Sequence, residues 1–186
     1  MSTATVSETS IPTGTWDVDA VHSRIGFAVK HMGVATVRGE FHDFEGRLEV
    51  GEDLASTKAY GTVKTASVNT NQGQRDDHLR SADFFDAEVH PDLTFESTRI
   101  EQVDEDTLKI VGDLTLHGET REVELEAELG GSEVGPQGEE RIGLEVTGKL
   151  SRADFGMKFN AALGSGNAVV SDKVKLALDI AAVKRS

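Results

Sequence analysis

The sequence predicts an all-β protein, a single antiparallel, up-and-down β-barrel of about eight strands with a short helical insertion around residues 70–86. Three observations support this fold class. Apolar and polar residues alternate with period two from residue 21 to residue 183, the alternating segments are joined by short turn-like connections, and few segments break the pattern. Period two is typical of a strand with one face buried and the other in solvent.

Eight or nine segments carry this alternation, and in each of them the apolar and small residues occupy one phase. In the first half of the chain these residues are Ile25, Phe27, Val29, Ala35, Val37, Gly39, Phe41, Phe44, Leu48, Val50, Ala59, Gly61 and Val63. In the second half they are Leu93, Phe95, Ser97, Leu108, Ile110, Gly112, Leu114, Leu116, Val123, Leu125, Ala127, Leu129, Ile142, Leu144, Val146, Gly148, Leu150, Val174, Leu176, Leu178 and Ile180.

The single dry face predicts antiparallel pairing, because the strands of parallel sheets are covered on both faces. Four connections are short or turn-like, and they lie at residues 42–43, 103–106, 117–119 and 130–140. Short connections favour neighbouring strands in up-and-down order. A sheet of this length most simply removes its edges by closing into a barrel.

Two segments lack the alternation. Residues 69–91 include the predicted helical insertion, for which Thr70 or Asn71 is a plausible N-cap, and Phe84 and Phe85 are expected to cover something apolar. Residues 153–171 form a second irregular stretch, which carries Phe155 and Phe159 among glycines. Both stretches therefore bring aromatic side chains to the barrel.

Length and composition favour one barrel domain at residues 15–186, after a flexible tail at residues 1–14. The net charge of −14 argues against nucleic-acid binding, because an acidic surface repels phosphate backbones. The chain has no cysteine, which excludes disulfides, thiolate metal sites and cysteine nucleophiles. We find no secretory signal and no transmembrane segment, and we expect a cytoplasmic protein.

Small residues in the dry phase predict a cavity inside the barrel. A barrel of about eight strands encloses a space that side chains fill or that one ligand occupies. The alternative is that glycines such as Gly112 and Gly148 mark bulges and corners of the barrel. The residues predicted to contact a long apolar ligand are Phe27, Val29, Val37, Gly39, Phe41, Phe44, Phe84, Phe85, Phe95, Gly112, Leu114, Leu116, Gly148, Phe155 and Phe159.

Polar residues cluster at residues 75–80, within the predicted insertion. Arg75, His78 and Arg80 are candidates to bind a polar or phosphorylated headgroup at the barrel mouth. Acid–base chemistry by Asp76, Asp77 and His78 is an alternative, although the neighbouring arginines favour salt bridges. The six histidines show no metal-site spacing, and we expect no metal and no cofactor.

An ordered set of short stretches resembles the YceI-like family over nearly the whole chain, from Thr15 to about Lys184. The stretches are residues 19–23 (Asp-Ala-Val-His-Ser), 27–31 (Phe-Ala-Val-Lys-His), 38–41 (Arg-Gly-Glu-Phe), 75–79 (Arg-Asp-Asp-His-Leu), 84–86 (Phe-Phe-Asp), 90–97 (His-Pro-Asp-Leu-Thr-Phe-Glu-Ser), 112–120 (Gly-Asp-Leu-Thr-Leu-His-Gly-Glu-Thr), 152–156 (Arg-Ala-Asp-Phe-Gly) and 174–180. Their order and spacing, rather than any one stretch, make the resemblance specific.

The resemblance implies a lipocalin-like barrel that binds a polyisoprenoid or another long amphiphilic lipid, and a frequent homodimer. The leading hypothesis is a non-enzymatic protein that sequesters or carries such a lipid. Two alternatives stay open: an enzyme or isomerase acting on an apolar lipid, and a structural, stress-related barrel without ligand. Family membership defines the pocket better than the ligand, because function depends on the site and not on the fold.

Overall fold

Eleven strands and one α-helix make up the fold in this computed structural model, which describes residues 11–161 and 169–186. The strands are β1 (Gly14–Val18), β2 (Arg24–His31), β3 (Ala35–Phe41), β4 (Phe44–Val50), β5 (Lys58–Lys64), β6 (Val68–Asn69), β7 (Asp92–Gln102), β8 (Thr107–Leu116), β9 (Glu119–Val134), β10 (Glu140–Ser151) and β11 (Val170–Lys184). The helix α1 (Gly73–Arg80) lies between β6 and β7.

Eight of these strands close into a barrel in the order β1, β4, β5, β7, β8, β9, β10 and β11, and β11 then pairs with β1. All the pairings are antiparallel, and from β7 to β11 each strand pairs with the next in the chain. The predicted fold class, an antiparallel barrel of about eight strands with one helix, is therefore confirmed.

The length of β11 explains how three further strands join the barrel. One edge of β11 pairs with β10, and the other pairs with β2 over residues 170–179 and with β1 over residues 182–184. Strand β2 continues into β3, and β3 pairs with the two residues of β6. The wall is thus a continuous ladder at the β1 end, and α1 lies beside β6 at the other end.

All nine alternating segments form strands, and the structure adds two strands that the pattern did not indicate. Strand β1 was assigned in part to the tail and β6 is only two residues long, so neither offered a measurable period. Strands β9 and β10 also extend into the predicted loop at residues 130–140, with an irregular register between Ile142 and Leu144. A bulge breaks strict alternation, which hides such strand ends from sequence analysis.

The helix begins after Gln72, whose side-chain oxygen accepts a hydrogen bond from the backbone N–H of Arg75 at 2.5 Å. The predicted caps, Thr70 and Asn71, are wrong because Thr70 is engaged elsewhere. Its backbone N–H and its hydroxyl both donate to the Asp76 carboxylate, at 2.8 and 2.5 Å. This buried pair joins the first turn of α1 to the end of β6.

Ile11 is buried in the core beside Trp16, which is only 1% exposed. The predicted tail at residues 1–14 therefore includes a residue that packs into the barrel, and residues 1–10 lie outside the described part of the chain. The Trp16 indole N–H donates to the Pro12 carbonyl at 2.9 Å, which holds this segment against the barrel end. Among the described helices, none has the length and apolar character needed to cross a lipid bilayer.

Candidate functional site

Two adjoining apolar cavities occupy the barrel interior. The inner cavity has a volume of about 220 Å³ and is bordered by residues such as Phe44, Phe95 and Leu114. The mouth cavity has a volume of about 290 Å³ and reaches α1, where Leu79, Phe84 and Phe85 border it. The predicted cavity thus exists as two compartments along one interior.

The two cavities share part of their lining, which shows that they adjoin. The shared residues are Phe27, Phe41, Leu93, Leu150 and Leu176. The rings of Phe27 and Phe41 lie 5.6 Å apart between centroids, and Phe41 meets Phe85 edge-on at 5.5 Å. These aromatic rings stand where one cavity passes into the other, so a guest that spans both must pass them.

Side chains along the interior are less buried than those of a filled core. Phe27, Phe95, Leu125 and Leu176 point inward, yet each is only partly buried. Interiors of ordinary domains are close-packed with few voids larger than a water molecule. The remaining accessible surface of these residues therefore faces the cavities.

Three of the predicted small inward residues do not leave empty space. Gly39 pairs with Phe27 and Gly148 with Leu125, and in each case the larger partner lies over the glycine. A Cβ placed on Gly112 would lie 2.5 Å from Phe95 Cζ. The expectation that these glycines form the cavity is therefore corrected, because they make room for a neighbouring large side chain.

The ionisable side chains that line the mouth cavity are all basic. Its ionisable residues are Lys30, His31, Arg75, His78 and Arg152. Within the described ranges, no Asp or Glu lines this cavity, although the whole chain has a net charge of −14. The mouth is therefore a local cationic site on an acidic protein.

Arg152 is the most buried of these cations, at 5% exposure. Its guanidinium donates to the carbonyl oxygens of Met157, Phe159, Val170 and Ser171 at 2.7 to 3.2 Å. Burial lowers the pKa of Arg152 from its ordinary value. Four of the five N–H groups of the guanidinium are directed at carbonyls, which fixes the charge beside the cavity.

The three predicted headgroup residues have different surroundings. Arg75 borders the mouth cavity and donates to the hydroxyl and the carbonyl of Thr70, at 2.7 and 2.8 Å. His78 also borders the cavity, with its Nε2 2.9 Å from an Asp83 carboxylate oxygen. Arg80 does not line it, and it binds the carbonyls of Ala66 and Val68 and the Asp77 carboxylate instead.

An aromatic cluster of His78, Phe84 and Phe159 borders the outer part of the mouth cavity. The three rings contact one another edge-on, with centroid separations of 5.0 to 5.3 Å. Phe84 is buried, whereas Phe159 remains 37% exposed. An exposed ring over an apolar cavity is the part of this cluster best placed to contact an entering molecule.

Most of the predicted contact residues line one of the two cavities. The residues that do so are Phe27, Val29, Val37, Phe41, Phe44, Phe84, Phe85, Phe95, Leu114, Leu116 and Phe159. Those that do not are Gly39, Gly112, Gly148 and Phe155. Phe155 is 1% exposed and packs in a buried cluster with Leu116 and Met157.

Sequence reasoning missed Arg152 and the leucines of the last two strands. Leu150 and Leu176 stand in the dry phase of β10 and β11, so the alternation itself was a signal for them. Arg152 belongs to the family-like stretch at residues 152–156, but neither this stretch nor the alternation indicates that its side chain is buried. Its four hydrogen bonds to carbonyls become evident only in the structure.

The proposed acid–base residues are not assembled into a catalytic pair. The buried Asp76 carboxylate is occupied by Thr70, and the exposed Asp77 pairs with Arg80 at 3.0 Å. Of the three candidates, only His78 borders the apolar interior. The polar cluster at residues 75–80 therefore anchors α1 to the barrel.

Comparison with known proteins finds the YceI-like domain over residues 16–182 of this chain. Protein YceI of Escherichia coli O157:H7 is 42% identical over 143 residues, which cover 76% of this chain and 74% of that protein. UPF0312 protein plu2095 of Photorhabdus laumondii is 41% identical over 149 residues, which cover 80% and 76% of the two chains.

Solved structures share the fold. A YCEI protein of Campylobacter jejuni is 33% identical with a TM-score of 0.71, and the match covers 90% of this chain and 96% of that one. A polyisoprenoid binding domain from Saccharophagus degradans is 18% identical with a TM-score of 0.66, and that match covers 91% and 98% of the two chains. At this low identity the second likeness concerns the fold.

Proposed function

This chain belongs to the YceI-like family, and from that premise we propose that it is a non-enzymatic protein that sequesters or carries a long-chain isoprenoid or similar amphiphilic lipid. The single observation that carries the proposal is the pair of adjoining apolar cavities inside the barrel. The polyisoprenoid binding domain of S. degradans has the same fold, which supports this class of ligand. A homodimer and a cytoplasmic location stay predictions.

The shape of the interior favours a long thin guest. Because the two cavities share lining residues, one apolar chain that passes Phe27 and Phe41 would occupy both of them. Burial of such a chain contributes about 0.8 kcal/mol per methylene group. An elongated lipid therefore gains affinity with every carbon that passes the mouth.

The charge of the mouth favours an anionic headgroup, such as a prenyl phosphate. Arg75 uses two N–H groups on Thr70, and no other group in residues 11–161 or 169–186 engages its remaining donors, which can bind an oxyanion. Arg152 lies deeper with one N–H left, and His78 lies at the rim. In this arrangement the tail enters the inner cavity and the headgroup stays at the mouth.

Native mass spectrometry of the purified protein, followed by organic extraction, tests the proposal. We expect one isoprenoid per protein, or stoichiometric uptake of added polyprenyl phosphate by delipidated protein. Leu176→Trp should block uptake because Leu176 borders both cavities. Ala177→Trp, on the exposed face of the same strand, is the matched control and should bind normally. An empty wild type that takes up no prenyl lipid would refute the proposal.

The headgroup assignment has its own test. Arg75→Gln should weaken polyprenyl phosphate binding by about tenfold, because a charge-assisted hydrogen bond contributes about 1.5 kcal/mol or more. Binding of the uncharged polyprenol should be unchanged. Equal loss of both ligands would show that Arg75 acts only by positioning α1.

A further inference from the structure

Three potential metal ligands meet near the mouth cavity, two of them four residues apart and the third on a distant turn of the chain. One donor atom each from Asp86, His90 and His117 lies within 4.8 Å of the other two, and all three residues are half-buried. Asp86 and His90 lie in the segment between α1 and β7, and His117 lies in the turn between β8 and β9.

The backbone holds Asp86 and His90 close together. The Asp86 carbonyl accepts the N–H groups of Val89 and His90 at 3.1 and 2.8 Å, which turns the chain back within four residues. On the other side, His117 and Gly118 form a two-residue turn with φ of 56° and 76°. A Cβ on Gly118 would lie 2.7 Å from His90 Cε1, so the glycine permits this approach.

The tautomer of His117 is determined by a second contact. Its Nδ1 lies 3.0 Å from the Phe155 carbonyl oxygen. A carbonyl only accepts hydrogen bonds, so Nδ1 carries the proton and Nε2 keeps its lone pair. Metal-binding histidines characteristically donate their other ring N–H to a carbonyl or carboxylate in this way.

The other two potential metal ligands, the Asp86 carboxylate and the His90 imidazole, are not engaged by side chains of the described residues. Over residues 11–161 and 169–186, no salt bridge engages Asp86 and no hydrogen bond engages the His90 ring. The imidazoles of His90 and His117 are 5.1 Å apart between centroids. A carboxylate and two imidazoles therefore converge in a half-buried place without satisfying one another.

We propose that Asp86, His90 and His117 bind a divalent first-row transition-metal ion. Two imidazoles and one carboxylate suit Zn²⁺, Co²⁺, Ni²⁺ or Fe²⁺ rather than Ca²⁺ or Mg²⁺, which prefer oxygen ligands alone. A tetrahedral ion with ligands at about 2.0–2.2 Å keeps the donors about 3.4 Å apart, so binding draws these side chains inward by about 1 Å. At least one coordination position stays open to water.

The position of this site connects it with the mouth. Phe85 precedes Asp86 and Leu116 precedes His117, and both of these neighbours line the mouth cavity. A bound ion therefore ties the segment after α1 to the β8–β9 turn and holds Phe84 and Phe85 over the cavity. By holding these rings over the cavity the ion would slow the release of a bound lipid; this effect rests on the proposed function, whereas metal binding itself does not.

The test uses full-length protein stripped with a chelator. Titration with Co²⁺, followed by its visible absorption, and with Zn²⁺, followed by calorimetry, should show one tight site and a raised melting temperature. Asp86→Asn and His117→Gln should each weaken binding by at least about tenfold. Asn accepts the positive φ of Asp86 as Asp does, which preserves the turn.

His42→Gln is the matched control, because His42 is an exposed histidine in another turn. It should leave both titrations unchanged, and an excess of Mg²⁺ should not displace the Zn²⁺. Absence of Co²⁺ and Zn²⁺ binding would overturn the proposal. So would binding that both site variants retain in full, since the ions would then lie on the acidic surface.

Discussion

The two ends of the barrel are built differently. At one end, which we term the closed end, Ile11, Trp16, Val50, Ile142 and Ala182 pack as a cluster of buried residues. At the other end, α1 and the aromatic cluster of His78, Phe84 and Phe159 border a cavity. Trp16 is 1% exposed, whereas Phe159 is 37% exposed.

This difference suggests that the closed end contributes mainly to the stability of the barrel, whereas the mouth end contributes mainly to ligand binding. The closed end has continuous ladder pairing, because β1 bridges β11 and β4 there. At the mouth end the ladder finishes with the two residues of β6, and the helix beside them is held by side-chain contacts such as Thr70 to Asp76. Elements with fewer ladder bonds open more readily, which suits an entry route for a ligand.

The largest expected effect is the loss of the large side chain at the closed end. Trp16→Ala should lower the free energy of unfolding by about 3–5 kcal/mol, because it removes a fully buried aromatic ring. Phe159→Ala at the mouth should cost under about 1 kcal/mol but weaken lipid binding. Denaturant unfolding with paired uptake assays measures both. Similar stability losses would contradict the contrast between the ends.

A smaller effect is expected from adding a methyl group to an inward glycine that a neighbouring side chain already covers. Gly112→Ala should destabilise the barrel by about 1–3 kcal/mol, because its Cβ would lie 2.6 Å from the Glu96 carbonyl oxygen. Gly61→Ala is the matched control, since the nearest atom to its Cβ is 3.9 Å away. Thermal unfolding should distinguish the two variants, and equal midpoints would show that the strands adjust freely.

The smallest effect concerns a polar contact at the closed end. The Asp19 carboxylate accepts bonds from the Val21 N–H, His22 and Arg141, and these lower the pKa of Asp19 to about 2, with the His22 contact first. A lowered carboxyl pKa adds stability above the unfolded value of about 3.8, and this stability is lost as pH falls through about 2.

Asp19→Asn should therefore cost about 1 kcal/mol at pH 7 and nothing below about pH 2. Urea unfolding of both proteins at several pH values between 7 and 2 measures the difference. At the mouth end, hydrogen bonds from Ser151 and from the Ala153 N–H lower the pKa of Asp172 in the same direction, so the substitution at Asp19 isolates only the closed-end contribution. A difference between the two proteins that does not change with pH would show that Asp19 acts through packing alone.

Much of the fold was readable from the alternation, and the misses have physical causes. Strands β2 to β5 and β7 to β11 follow the period, because each has one dry and one wet face. Strand β6 has two residues, too few for any period. The predicted N-cap of α1 was wrong because the Thr70 side chain donates its hydroxyl to the Asp76 carboxylate, and Gln72 caps the helix instead.

The apolar lining of the candidate site could be predicted from the sequence. Inward aromatic residues such as Phe27 and Phe41 line the cavities, because strand phase decides which side chains point inward. The cationic mouth was readable only in part, through Arg75 and His78. The prediction that inward glycines form the cavity was wrong. A glycine leaves either empty space or room for a large neighbouring side chain, and only the structure distinguishes the two cases.

The sequence by itself determined nine of the eleven strands, their dry faces and the family resemblance, because these depend on residues close together along the chain or in fixed order. The tertiary structure decided where space remains, since packing depends on partners such as Phe95 over Gly112. It also decided which polar groups meet. Asp86, His90 and His117 come together only because the closed barrel brings the β8–β9 turn beside the segment after α1.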